Sequence, residues 1–150
     1  MLLRPFWVPV RRSFDRIAIN VTAAATAASG GVLRFGAYSI SGTTGTLLWD
    51  AGTISSEAAG SLEVTISQTL NPGVVWLGVV AQVAACSVVH YAGTTVNPWV
   101  QTGTGATAPS TAGAANAVRF SATSVTGALP ASPTLTAQAS AYPAVVLRAA

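Results

Sequence analysis

The segment from Val32 to Val83 constrains the fold most, because it consists of short alternating stretches separated by turns that contain glycine or proline. Between Ser61 and Ser67, for example, Leu62, Val64 and Ile66 alternate with polar residues. A period of two residues is typical of a β-strand with one face in water. The segment therefore predicts β-sheet over its whole length.

The strand expected from Val74 to Val83 differs from the others because it is apolar on both faces. Val75, Leu77 and Val79 fall on one face, and the other face carries Trp76 and Val80. A strand that is apolar on both faces must be covered on both. Either a long loop or a neighbouring subunit could supply the second cover.

This second face motivates the hypothesis of an oligomer. On the subunit alternative, Trp76 and Val80 are candidate residues of a subunit interface.

The nineteen uncharged residues from Val74 to Ala92 reach the length of a membrane-spanning helix. However, they are rich in valine, contain Gly78 and His90, and follow an Asn-Pro-Gly turn. This content favours two buried strands, from Val74 to Val83 and from Ser87 to Tyr91. We therefore expect no membrane insertion.

The whole chain is expected to form one domain, an all-β, antiparallel, jelly-roll-like β-sandwich of eight or nine short strands. Long loops of low complexity are expected at about residues 101 to 117 and 126 to 144. Residues 5 to 10 form a short extended piece. The remaining expected strands are Phe14 to Thr22, Val32 to Ile40, Leu47 to Trp49, Thr53 to Ser55, Ala117 to Thr123 and Val145 to Arg148, with a turn at Asp50 to Gly52.

The charge of the chain is sparse and uneven. Charged residues make up 7% of the sequence, against about 25% in typical domains. All seven basic residues are arginines, and four of them, Arg4, Arg11, Arg12 and Arg16, lie near the amino terminus. Nucleic-acid binding needs many phosphate contacts, so we expect no nucleic-acid partner. Arginine also suits ion pairs between subunits, which makes Arg11 and Arg12 candidate interface residues.

The residue types needed for catalysis or metal binding are scarce. The chain has one histidine, His90, one cysteine, Cys86, and four scattered carboxylates. A catalytic triad or a transition-metal site needs several such groups at defined spacing, and no phosphate-binding glycine motif is present. We therefore expect neither enzymatic activity nor a cofactor nor a metal site.

Tryptophans are the remaining candidates for ligand contact, because an indole can stack on the apolar face of a sugar. Most tryptophans are buried anchors. Trp99 opens the long polar loop, and Tyr91 is close to it in sequence. Trp99 and Tyr91 are therefore the candidate ligand contacts.

Several short motifs resemble the distal β-sandwich domain of tailed-bacteriophage virion proteins of the tail-fibre, minor-tail and head-fibre types. They are Pro5 to Pro9 (PFWVP), Phe14 to Ile17 (FDRI), Arg34, Gly36 and Tyr38, Leu47 to Thr53 (LLWDAGT), Val64 to Gln82, Gly127 to Pro130 (GALP) and Pro143 to Arg148. The resemblance implies a structural protein of the virion that is assembled in the bacterial cytoplasm, exposed on the particle and trimeric. It implies no catalytic residue.

Two functions are compatible with this resemblance. The first is a fibre or spike domain that contacts a host-surface polysaccharide, and the polar loops at 101 to 117 and 126 to 144 favour it. The second is a capsid decoration (cement) protein or a tail component that contacts only other virion proteins. The sparse charge favours the second function, as does the start of the domain directly at Met1, which is expected either for a complete small protein or for one whose anchor lies elsewhere. We expect the first.

Overall fold

The computed structural model describes residues 1–91, 118–122, 125–139 and 142–150, and the described residues contain strands and no helix. The strands are β1 (Leu2–Val8), β2 (Arg12–Ala23), β3 (Val32–Ser41), β4 (Thr44–Ser55), β5 (Gly60–Leu70), β6 (Gly73–Gln82), β7 (Ser87–Val88), β8 (His90–Tyr91), β9 (Val118–Ser121), β10 (Thr136–Ala139), β11 (Tyr142–Pro143) and β12 (Val146–Ala149).

These strands form two main antiparallel sheets that pack against each other, and one further sheet of two strands. The large sheet has the order β10-β9-β1-β6-β3-β4. The small sheet has the order β12-β2-β5, with β7 also paired to β2, and β11 pairs with β8. The predicted all-β sandwich is confirmed, while the jelly-roll connectivity stays a prediction. The uncharged run after Val74 forms the predicted first strand as β6, whereas the predicted buried strand from Ser87 to Tyr91 is divided into β7 and β8, which pair with different strands and include the exposed Ser87 and His90.

The main hydrophobic core lies between the two sheets. Phe35 of β3 and Leu77 of β6 face Ile17 and Ile19 of β2, and all four side chains are almost completely buried. The alternation of each strand places these residues on the inner face. Cys86 is half-buried and packs against this core.

A second hydrophobic cluster covers the opposite face of the large sheet. Trp76 and Val80 lie in it, with exposures of 6% and 9%, and the Trp76 ring packs edge-on against Phe120 at a centroid distance of 4.9 Å. Leu129 and Leu135 complete the cover. The chain's own residues therefore bury Trp76 and Val80, and no neighbouring subunit is needed to cover them.

Residues 125–135, here called the cover segment, also protect an edge of the large sheet. In β4, the backbone N–H groups of Gly45 and Leu47 donate to carbonyl oxygens of the segment at 3.0 and 2.9 Å. The N–H of Leu135 donates to Thr43 at 2.8 Å, and the next residue, Thr136, pairs with Ser121 in β9. The segment therefore links both edges of the large sheet across the second cluster, which removes much of the exposed strand edge.

The structure corrects two expectations, one about residues 126 to 144 and one about the strand β4. The sequence predicts a loop from 126 to 144, whereas β10 and β11 lie within it because the chain pairs there with β9 and β8. The sequence also predicts two strands flanking a turn at Asp50 to Gly52, whereas β4 is continuous. Two register shifts between β3 and β4, together with a φ of 80° at Gly52, accommodate the turn residues inside the strand. The predicted loop at 101–117 lies outside the described residues.

The amino-terminal piece is a full strand rather than a short extended segment. β1 pairs with β6 from Leu2 to Val8, although it contains Pro5. Proline cannot donate to a strand ladder and is tolerated where one side of the strand has no partner. Only Leu2 and Leu3 of β1 pair with β9, so Pro5 lies on a stretch that borders a single strand within the described residues.

We expect Gly36→Ala to destabilise the fold by about 1–3 kcal/mol, as overpacking does. A methyl group there would overlap Leu129 Cδ1 and lie 2.7 Å from the carbonyl oxygen of Trp49. Gly78, the partner of Gly36 across the β3–β6 pair, is the matched control because its nearest neighbours would be 3.5 Å away. Urea unfolding should show Gly78→Ala within about 1 kcal/mol of the parent. Equal losses for both variants would contradict the close packing of Leu129.

Candidate functional site: a buried polar node and an exposed apolar stripe

The groups that most often perform catalysis are dispersed in this structure. His90 is exposed on β8, and its backbone pairs with Pro143. Among the described residues, no three histidine, cysteine or carboxylate side chains lie together. The expected absence of enzymatic activity stays a prediction.

The main polar cluster lies on the face of β3 that carries Arg34, Gly36 and Tyr38. Arg34 Nε is 3.0 and 2.9 Å from the two carboxylate oxygens of Asp50 in β4. The Tyr38 hydroxyl donates to the carbonyl oxygen of Pro130 at 3.1 Å. Gly36 lies between them, and its missing side chain leaves space for Leu129. One strand face therefore holds the cover segment by charge, hydrogen bonding and shape.

The Asp50 carboxylate connects the sheet to the cover segment directly. It accepts hydrogen bonds from the backbone N–H of Leu129 at 3.0 Å and of Gly52 at 2.9 Å, in addition to Arg34. Gln82 at the end of β6 donates to the carbonyl oxygen of Gly127 at 2.8 Å. All of these groups are engaged in docking the segment, so this cluster, here called the polar node, has a structural role.

The node shifts the pKa values of both its acidic groups. Burial alone would raise the pKa of Asp50, but the N–H groups of Leu129 and Gly52 and the Arg34 guanidinium hold it below its ordinary value. Burial, with a smaller contribution from the Asp50 charge, raises the pKa of Tyr38 to about 12. The folded protein thus favours ionised Asp50 and neutral Tyr38.

A set of exposed apolar side chains, here called the apolar stripe, lies on the large sheet and on the turn that follows β1. It consists of Trp7, Val10, Leu48 and Val74, whose exposures are 44%, 62%, 46% and 40%. Trp7 and Val74 are cross-strand partners in the β1–β6 pair. Val74 and Leu48 line a depression of about 390 Å³, and Trp7 and Val10 line a groove of about 240 Å³.

The stripe concentrates the apolar surface of the described protein. Among the described residues, only two other large apolar side chains are strongly exposed, those of Val83 and Val146, and neither lines these depressions. Contiguous exposed apolar surface on a soluble domain marks an interaction site more often than isolated residues do.

Two arginines flank the stripe. Arg11 and Arg12 are exposed where β1 turns into β2, and Arg12 lines the same groove as Trp7 and Val10. Within the described residues, neither arginine has an ion-pair partner. The stripe is therefore an apolar surface with positive charge at one end.

The carboxylates of the chain are already occupied elsewhere. Asp15 binds Arg148 through two contacts of 2.9 and 2.7 Å on the outer face of the small sheet. Glu63 lies 3.9 Å from Arg16, and Asp50 belongs to the polar node. The fourth carboxylate, Glu57, accepts a hydrogen bond from the backbone N–H of Gly30 at 2.7 Å.

The residues singled out from the sequence are placed as follows. Trp99 lies outside the described residues. Tyr91 lies in β8, where its backbone pairs with Tyr142, and its side chain is outside the described part. Arg11 and Arg12 are exposed beside the stripe, and their role at an interface stays a prediction.

Sequence reasoning missed the stripe itself. Leu48 follows Leu47 at a register shift between β3 and β4, so simple alternation does not reveal which leucine is exposed. Val74 belongs by alternation to the face of Trp76, yet it lies beyond the residues that bury Trp76. The proximity of Trp7 and Val10 to two arginines was the available sign.

We expect Asp50→Asn to destabilise the protein by about 1–3 kcal/mol at pH 7, because Arg34 and the Leu129 N–H lose a charged acceptor. An unfolded aspartate has a pKa of about 4, and the pKa of folded Asp50 is lower. The stabilisation is therefore present above about pH 4 and is lost as the pH falls through the folded value. Urea unfolding from pH 7 to pH 2 should show that the free energy of unfolding falls less with acid in the variant than in the parent. Asp15→Asn, at an exposed ion pair, should have a much smaller effect at pH 7.

We expect Tyr38 to weaken the fold in alkali. Its folded pKa of about 12 exceeds the value near 10 of an unfolded tyrosine. The unfolded chain therefore loses its proton first, and stability falls as the pH rises from about 10 through 12. Tyr38→Phe should reduce this loss in unfolding experiments while costing about 1 kcal/mol at pH 7, through the lost bond to Pro130. An identical alkaline profile in the variant would contradict the burial of the hydroxyl.

No protein-family model matches this chain, and neither curated proteins nor solved structures give a significant match. Within the described residues, no helix is long and apolar enough to cross a membrane. The polar node and the apolar stripe are therefore the features from which a function must be argued.

Proposed function

We propose that the protein is a structural component of a tailed-bacteriophage particle, in which it forms an exposed fibre- or spike-type domain that assembles with other virion proteins. The observation that carries the assembly role is the apolar stripe of Trp7, Val10, Leu48 and Val74, together with two exposed arginines that have no ion-pair partner in the described part of the chain. Apolar surface next to arginine is typical of protein interfaces. The polar groups of the node are used within the fold.

The placement of the phage-like motifs also supports the proposal. The Arg34, Gly36 and Tyr38 motif, the Asp50 of the LLWDAGT motif and Gln82 all contact the cover segment at residues 125–130. That stretch contains the GALP motif. Motifs that are far apart in sequence thus serve one structural purpose, which is expected if they describe a shared domain rather than chance similarity.

The fibre or spike role further implies a host-surface polysaccharide as a partner, with Trp99 and Tyr91 as the contacts, and a trimeric assembly. The alternative is a capsid decoration protein or tail component. The stripe suits attachment to the particle in either case. The two roles differ in what the particle loses when the protein is absent.

We expect the chain to copurify at fixed stoichiometry with virions of the phage that encodes it. Replacing Val74 and Leu48 by threonine should reduce its incorporation at least severalfold, because the stripe loses apolar contact area. Mass spectrometry of gradient-purified particles measures both quantities. Val146→Thr is the matched control, since Val146 has a similar exposure of 43% but lies on the small sheet.

Absence of the chain from purified virions would contradict the proposed function. Normal incorporation of the Val74 and Leu48 variant would contradict the role of the stripe in assembly. Virions that lack the protein separate the two roles: loss of adsorption to the host with normal heat stability supports the fibre or spike role. Normal adsorption with reduced stability to heat and salt supports the decoration role instead.

A further inference from the structure

We infer that the apolar stripe binds an acidic, apolar segment of a different protein rather than a second copy of this chain. The inference rests on the proposed assembly function and adds the chemistry of the partner. It follows from the combination of exposed apolar area, two exposed arginines that have no ion-pair partner among the described residues, and carboxylates that already have partners within the chain.

The apolar requirement comes from the stripe itself. Trp7 and Val74 are neighbours across two strands, and Leu48 shares a depression with Val74. A partner gains most by inserting large apolar side chains into the depression lined by Val74 and Leu48 and into the groove lined by Trp7 and Val10. Tryptophan and arginine at the centre of such a surface are the residue types that contribute most to binding.

The acidic requirement comes from Arg11 and Arg12. Both are exposed, and within the described part of the chain neither has an ion-pair partner. Burying them against a neutral or basic surface would remove water from a charge without compensation. A carboxylate beside the groove lined by Arg12 would satisfy that charge with the paired geometry that guanidinium favours.

A second copy of this chain is poorly equipped to supply those carboxylates. Of its four acidic side chains, Asp15, Asp50 and Glu63 already pair with arginines, and Glu57 accepts a backbone hydrogen bond. Three of its four carboxylates are therefore already partly neutralised by an arginine of the same chain.

Three fluorescent peptides of equal length provide the probe. They share a core of two tryptophans and two leucines and differ only in four flanking residues, which are aspartate, asparagine or lysine. Fluorescence anisotropy with the purified protein at low salt measures their affinities. We expect the aspartate peptide to bind about fivefold or more tightly than the asparagine peptide, from two exposed ion pairs. Added salt should reduce this preference.

Two variants test the assignment to the stripe. Arg11→Glu with Arg12→Glu should reverse the order, so that the lysine peptide binds best. Val74→Thr with Leu48→Thr should weaken all three peptides, whereas Val146→Thr should leave them unchanged. Light scattering should show that the parent does not associate with itself through the stripe.

Equal binding of the three peptides, or no binding of any, would overturn the inference. Self-association that disappears in the Val74 and Leu48 variant would also overturn it and would assign the stripe to a second copy. The peptide result and the self-association result both leave the proposed function intact if the Val74 and Leu48 variant still fails to enter virions. Loss of the proposed function would appear differently, as absence of the protein from the particle.

Discussion

The fold depends on the Asp50 carboxylate, which joins two parts of the chain that are 79 residues apart. Arg34 and the backbone N–H groups of Gly52 and Leu129 donate to this one group. Because Asp50 is only about one-fifth exposed, its charge is poorly compensated by water. A carboxylate with several donors in that setting is strongly held, and it fixes Leu129 over the second face of the large sheet.

This docking has consequences for the whole large sheet. The cover segment that begins at the polar node buries Trp76 and hydrogen-bonds to the edge of β4 before it continues into β10. Both the apolar second face and one strand edge are therefore protected within the chain. The segment does not cover Trp7 and Val74, which stay exposed, and Trp7 lines a groove together with Arg12.

The two-residue alternation of β5 and the doubly apolar pattern of β6 could be read from sequence, since each reflects burial of one strand. The residues that cover Trp76 could not be identified from the sequence, because Leu129 and Leu135 lie in a segment whose composition resembles that of a loop. Asp50 and Gly52 predict a turn locally, but pairing with β3 keeps β4 continuous through a bulge. Contacts between residues far apart in sequence determine both the cover of Trp76 and the continuity of β4.

Hydrogen exchange at the Leu129 amide reports whether the Asp50 carboxylate docks the cover segment onto the sheet. We expect this amide to exchange as slowly as the paired amides of β3 and β6, although it lies outside any strand. We also expect Asp50→Asn to accelerate exchange at Leu129, Gly45 and Leu135 together, since these amides all depend on the docked segment. Exchange of the Leu129 amide in the parent protein at the rate of an unprotected peptide, with the sheet amides still protected, would show that Asp50 does not hold the segment.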